Sequence, residues 1–134
     1  MIKIFRIFNN VFKLHSLKES FGFALKGIVY LFLFHRNMRI IFLVGIASFL
    51  LGIFLKIKSF EFMILCVTVS MVFVAEMFNT AIELVIDMFT DKYHILLKII
   101  KDISAGVVLI ASLNALVIAY FIFFRRVFNL LHWF

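Results

Sequence analysis

The sequence predicts an all-α membrane protein, with three transmembrane helices and an N-terminal amphipathic surface helix. Three observations carry that expectation. Hydrophobic residues fill 66% of the 134 positions and charged residues 16%, against roughly 45–50% and 25% in a soluble globular domain. A core of this length cannot enclose such a surplus, so a bilayer is the natural solvent. Proline is absent, so no helix is interrupted by a missing donor. Finally, long apolar runs alternate with short clusters of basic residues, as membrane spans alternate with their loops.

The elements follow in order. From Met1 to Leu14, Lys3, Arg6, Asn9, Asn10 and Lys13 recur every three or four residues, with Ile2, Phe5, Phe8 and Phe12 between them. That pattern predicts an amphipathic helix lying in the headgroup region. Basic and apolar residues interleave here without a separate apolar block, so the N-terminus does not read as a cleavable signal. Ser20 to Phe34 reads as a second interfacial helix, set apart from the first clean span by His35-Arg36-Asn37-Met38-Arg39. That span is Ile40 to Leu55. It is short for a hydrocarbon layer of about 30 Å, and snorkelling Arg39, Lys56 and Lys58 extend it. The second span runs from about Phe60 to Phe89, followed by a polar loop, Thr90 to His94. The third runs from about Ile95 to Phe124 and is closed by Arg125 and Arg126, before a tail ending in Trp133 and Phe134. The chain thus reads as one membrane-embedded domain over 1–134. Surface helices occupy 1–37, the three spans 38–124, and the tail 125–134.

The formal net charge is +7. Beside apolar spans, basic residues point to anionic headgroups rather than to nucleic acid, and no aromatic-basic groove or recognition helix suggests otherwise. Loop charge sets orientation. With the N-terminus in the cytoplasm, Lys3, Arg6, Lys13, Lys18, Lys26, Arg36, Arg39, Lys92, Lys98 and Lys101 all fall on that side. Lys56, Lys58, Arg125 and Arg126 fall outside. The loop between spans two and three is then cytoplasmic. Cys66 has no partner for an internal disulfide. The histidines, His15, His35, His94 and His132, lack zinc spacing. Ala105 and Gly106 read as a place for close helix approach, and Ser112 and Asn114 as interhelical hydrogen-bonders.

The stretch that carries chemistry is Glu76-Met77-Phe78-Asn79-Thr80-Ala81-Ile82-Glu83-Leu84-Val85-Ile86-Asp87. At about 100° per residue, Glu76, Asn79, Glu83 and Asp87 share a stripe about 80° wide, and Glu76 and Asp87 are about 16 Å apart along the axis. An ionised carboxylate within a span costs roughly 2.5–3.5 kcal/mol on insertion scales, so such residues are generally functional or paired. The depth difference lets a water-soluble reactant sit at one end and a lipid headgroup at the other. Lys98 and Lys101 share a face near the start of the third span, with Asp102 close by. One reading pairs these lysines with Glu83 and Asp87 as a helix-packing ion network. The other is phosphoryl transfer: carboxylates hold Mg²⁺, lysines offset phosphate charge, and a carboxylate accepts the proton of an attacking hydroxyl. The five glycines, Gly22, Gly27, Gly45, Gly52 and Gly106, are isolated. Nucleotide would therefore be held by side chains rather than by a phosphate loop.

Taken in order, Glu76-x-x-Asn79-Thr80-Ala81-Ile82-Glu83-x-x-x-Asp87, Thr90-Asp91-Lys92-Tyr93-His94 and Lys98-x-x-Lys101-Asp102-x-x-Ala105-Gly106 resemble the small bacterial integral-membrane diacylglycerol kinase/undecaprenol kinase family. Ser20-Phe21-x-x-Ala24-x-x-Gly27 and Arg36-Asn37-x-Arg39 extend the resemblance upstream, so that it covers roughly residues 16 to 112. The resemblance implies a homotrimer in the bacterial inner membrane, with active sites shared between neighbouring subunits. It implies transfer of the γ-phosphate of ATP to a lipid hydroxyl with Mg²⁺. By position, Glu76 resembles the catalytic base and Glu83 a metal-binding glutamate. Lys92, Tyr93, His94, Lys101 and Asp102 resemble the nucleotide-binding set. Asn79, Asp87 and Lys98 support the same polar face.

Two positions depart from the family pattern. His35 stands where a second metal-binding glutamate is usual, and Ser16 where an arginine is common. A neutral imidazole is a poorer Mg²⁺ partner than a carboxylate, so the alternative is a catalytically impaired member acting as a membrane scaffold. Asn79-Thr80, Thr90-Asp91-Lys92 and Ala105-Gly106 look more like the undecaprenol-preferring branch than the diacylglycerol branch.

Overall fold

The structure, a computed structural model, describes residues 16–88 and 95–131. The helix expected over Met1–Leu14 lies outside these residues. So do Lys92, Tyr93 and His94. The described chain forms four helices: α1 (Leu17–Phe34), α2 (Arg36–Phe54), α3 (Ser59–Asp87) and α4 (Ile95–Leu131). Three of them, α2, α3 and α4, are long and apolar enough to cross a membrane. The residues up to His35 form one compact unit and those from Arg36 a second.

In the first unit, α1 begins at Leu17, three residues before the expected start. The cause is local. The Ser16 hydroxyl accepts from the Glu19 N–H at 3.2 Å, and the Glu19 carboxylate accepts from the Ser16 N–H at 3.0 Å. This reciprocal capping box satisfies donors that the first helical turn leaves open. At the other end His35 is extended, and its N–H closes the last bond to the Leu31 carbonyl at 2.9 Å. Leu17, Phe21, Phe23, Leu33 and Phe34 remain largely exposed, and Lys26 lies 6.0 Å from the centroid of the Phe23 ring.

In the second unit, α2 starts at Arg36, ahead of the expected Ile40. Its 19 residues give about 28 Å at 1.5 Å per residue, close to the hydrocarbon thickness. Its end is a Schellman turn. The Ile57 N–H reaches back to the Gly52 carbonyl and the Lys56 N–H to Ile53, both at 3.1 Å. Lys56 itself adopts φ 49°, the left-handed conformation this motif requires and that glycine usually supplies. Ile57 then folds its side chain over Gly52, where a Cβ would lie only 2.9 Å from Ile57 Cδ1. Two turns earlier, a Cβ at Gly45 would meet Val69 Cγ1 at 2.9 Å. Lack of a side chain at Gly45 lets α2 approach α3 closely, and at Gly52 it makes room for Ile57 of the turn. Ring pairs Phe42–Phe73 and Phe49–Phe62 flank the contact.

The 29 residues of α3 and 37 of α4 span about 43 Å and 55 Å, more than the hydrocarbon needs. The two pack along each other more extensively than α3 does on α2. Near the start of α3, Glu61 Oε2 accepts from the Lys58 backbone N–H at 2.7 Å. The same carboxylate receives both terminal nitrogens of Arg126, at 3.1 and 2.6 Å. Arg126 also donates to the Ile122 carbonyl of its own helix at 2.8 Å. This clamp fastens α4 beyond Phe124, where the expected third span ends, and α4 continues as helix to Leu131.

Replacing Lys56 by glycine relieves the left-handed strain and is expected to stabilise the fold by about 1 kcal/mol. Thermal unfolding in detergent reads this as a rise of a few degrees; a fall contradicts the turn assignment. Arg126→Ala is expected to cost about 1 kcal/mol, the upper range for a partly exposed bidentate pair. Glu61→Ala also removes the helix cap, and is expected to cost about 1 kcal/mol more. Equal melting temperatures for the two variants would show that the cap contributes nothing.

Candidate functional site

The polar stripe lies on α3 and changes character along its length. Glu76 is 4% exposed and Asn79 8%. Glu83 is half-buried and Asp87 exposed. If about 20 residues from Ser59 fill the hydrocarbon, that layer ends near Asn79. Glu76 then sits just inside the hydrocarbon edge, while Glu83 and Asp87 lie in the headgroup and aqueous layers. Among the described residues, no hydrogen bond or ion pair reaches the Glu76 carboxylate. Ala75 and Thr80, also buried, flank the stripe.

The stripe meets α4 at Asn79. Ser104, 4% exposed, lies 2.7 Å from Asn79 Oδ1 through its hydroxyl, and 2.8 Å from the carbonyl of Lys101. Asn79 in turn donates from Nδ2 to Glu83 Oε1 at 3.4 Å, a long contact one helical turn on. Asn79 and Glu83 thus share a face, as the spacing predicts, and the face is turned toward α4.

The ion-network reading of the lysines does not hold for Glu83. Among the described residues the ion pair is Arg126–Glu61, and Lys98, Lys101 and Asp102 are all exposed. Among the described residues no ion pair ties up the ammonium groups. A metal must be judged by the donors present. No cluster of three or more His, Cys, Asp or Glu side chains is found among the described residues. The carboxylates of α3 are hard oxygen donors at the polar end of the helix. That set fits Mg²⁺, which keeps several waters and is commonly held by one or two carboxylates plus substrate phosphates. It does not fit an ion that needs a full cage of side chains.

The other sequence expectations fall differently. His35 ends the first unit, with its ring 6.0 Å from that of Tyr30 and a buried Nε2 that finds no hydrogen-bond partner among the described residues. Gly106 is not a point of close approach, because a Cβ there would meet nothing within 4 Å. Gly45 takes that role, against Val69 of α3. Asn114 is exposed. Ser112 lines a cavity of about 290 Å³ with Gly45, Ser48 and Thr68, and makes no hydrogen bond among the described residues. The hydroxyl that does bridge helices is Ser104, which the sequence reading passed over. Its signal was available: Ser104 follows Lys101 by three residues, which places it on the lysine face of α4.

The chain also matches known proteins in sequence. The family model described as prokaryotic diacylglycerol kinase matches residues 22–123. A diacylglycerol kinase of Synechocystis sp. is 36% identical over 104 residues, covering 77% of this chain and 59% of that protein. The chain therefore spans less than two thirds of that relative. An undecaprenol kinase of Bacillus subtilis is 31% identical over 114 residues, covering 85% of this chain and 93% of that protein. The matched region takes in the whole stripe from Glu76 to Asp87 and its cover at Ser104, and the chain belongs to the prokaryotic diacylglycerol kinase family.

Proposed function

We propose that this protein phosphorylates a membrane lipid hydroxyl with ATP at the cytoplasmic face of a bacterial inner membrane. The observation that carries the reading is Glu76: a buried carboxylate without a protein partner among the described residues, which a span of about 20 residues from Ser59 would put near the hydrocarbon edge. A lipid alcohol is the reactant found at that depth, and a carboxylate there accepts its proton. Membership of a lipid kinase family supports the same reaction, and relatives named for diacylglycerol and for undecaprenol leave both alcohols as substrates.

In this mechanism the lipid oxygen attacks the γ-phosphorus of ATP. Its proton passes to the Glu76 carboxylate, the bond from that phosphorus to the bridging oxygen breaks, and ADP leaves. Glu83 would hold Mg²⁺, with Asp87 beside it on the polar face, and the bound ion would supply positive charge against the nucleotide phosphates. Lys98 and Lys101 offset phosphate charge from α4. Lys92, Tyr93, His94 and Asp102 complete the nucleotide site on the strength of the family resemblance. So does a homotrimer with shared sites, for which the many exposed apolar side chains of α2, α3 and α4 offer surface. The excess of basic residues flanking the polar end of the bundle supports a cytoplasmic N-terminus and second loop.

The test is transfer of labelled γ-phosphate to undecaprenol and to diacylglycerol, side by side, by purified protein with Mg-ATP. Glu76→Gln is expected to lower turnover by ~100-fold or more, the range for a general base, with assembly retained. Full activity in that variant overturns the assignment. His35→Glu restores the carboxylate the family resemblance implies at that position, and is expected to reduce the Mg²⁺ needed for half-maximal rate by ~10-fold. No change would mean that position 35 does not contact the metal. Absence of any labelled lipid from the unsubstituted protein would favour the scaffold reading.

A further inference from the structure

We infer that Ser104 is a positioning residue for the metal site, acting through the amide of Asn79; this rests on the kinase reading given above. Serine and threonine hydroxyls within helices commonly bond back to their own backbone. Here Ser48 donates to the Val44 carbonyl at 2.8 Å and Thr68 to the Ile64 carbonyl at 2.7 Å, each four residues back. Ser104 is different. Its hydroxyl has the Lys101 carbonyl within reach at 2.8 Å, yet also lies 2.7 Å from Asn79 Oδ1 on the neighbouring helix. One hydroxyl proton serves two acceptors.

The orientation of Asn79 decides what that proton does. An amide offers an acceptor oxygen on one side and a donor NH₂ on the other. With Oδ1 toward Ser104, Nδ2 faces Glu83 Oε1, and an ionised carboxylate accepts that donor. With the amide turned over, Oδ1 would face the carboxylate, two acceptors with no proton between them. Ser104 holds the first arrangement by donating to Oδ1, in a site where Ser104 and Asn79 are 4% and 8% exposed and water is scarce. The chain Ser104 to Asn79 to Glu83 runs in one direction, so each bond polarises the next. Glu83 Oε1 is thereby engaged within the protein, and Oε2 is left to the cation. Partners of this kind orient a metal ligand without touching the metal, and losing one typically costs roughly 10–100-fold in affinity or activity.

The experiment uses the full chain in lipid nanodiscs with Mn²⁺ as the probe, in the presence of adenylyl imidodiphosphate. Protein-bound Mn²⁺ is read by electron paramagnetic resonance, and lipid phosphorylation is measured on the same preparations. Ser104→Ala is expected to weaken Mn²⁺ binding ~10-fold or more, and Ser104→Thr, which keeps the hydroxyl, to restore it. Thr68→Val removes a buried hydroxyl that serves only its own helix, and is expected to leave binding unchanged. In an Asn79→Ala background the Ser104 substitution is expected to have no further effect. Binding by Ser104→Ala within twofold of the unsubstituted protein overturns the inference. So does equal loss in the alanine and threonine variants, or full additivity with Asn79→Ala. Should Ser104→Ala fail to assemble, Ser104→Cys is judged by the same criteria. An unsubstituted protein that binds no Mn²⁺ and labels no lipid sinks the kinase reading and this inference together. Normal binding that ignores Ser104 sinks the inference alone.

Discussion

A carboxylate placed inside a membrane helix cannot face lipid tails without a cost of several kcal/mol, so another element must cover it or a polar ligand must occupy its side. In this chain α3 carries a line of such groups, and α4 packs against α3 and bonds to that line at Asn79. Asn79 of α3 and Ser104 of α4 meet at the contact, both buried. The hydrogen bond between Ser104 and Asn79 joins the two helices. At the far end of the same helix pair, Glu61 and Arg126 form a second joint. The pair is thus fixed at both ends. Between those joints the buried residues include Leu65 and Thr68 of α3.

Much of this was legible from the residues. The apolar runs located all three spans, because no compact soluble fold could bury so much hydrocarbon. Boundaries were less legible, since they depend on local hydrogen bonds that hydropathy does not register. Ser16 and Glu19 start α1 early through a capping box that the sequence carries openly. The end of α2 depends on Lys56 adopting a conformation that its side chain disfavours, and no propensity argument anticipates that. The extension of α4 past Phe124 follows from a pairing between Glu61 and Arg126, 65 residues apart.

The site was legible in outline through helical periodicity, which aligned Glu76, Asn79, Glu83 and Asp87 on one stripe. Two assignments failed for the same physical reason. Gly106 and Asn114 look like packing residues by type, but type does not say which face of α4 meets α3. Gly45 and Ser104 occupy the contact faces instead. The α4 lysines are a further case. Opposite charges on neighbouring helices invite pairing, yet Lys98 and Lys101 are exposed and make no ion pair among the described residues. Their charge is free for an anionic reactant.

The central claim is that the polar stripe of α3 runs through the membrane surface, from water at Asp87 to the hydrocarbon edge at Glu76. Depth can be measured directly by placing spin labels singly at positions 76, 80, 83 and 87, with Cys66 replaced by alanine. The comparison is between collision rates with lipid-soluble oxygen and with a water-soluble nickel chelate. Nickel accessibility that falls steadily from position 87 to position 76, over a rise of about 16 Å, is the result the account predicts. Equal accessibility at the two ends, or greater accessibility at 76, would contradict it.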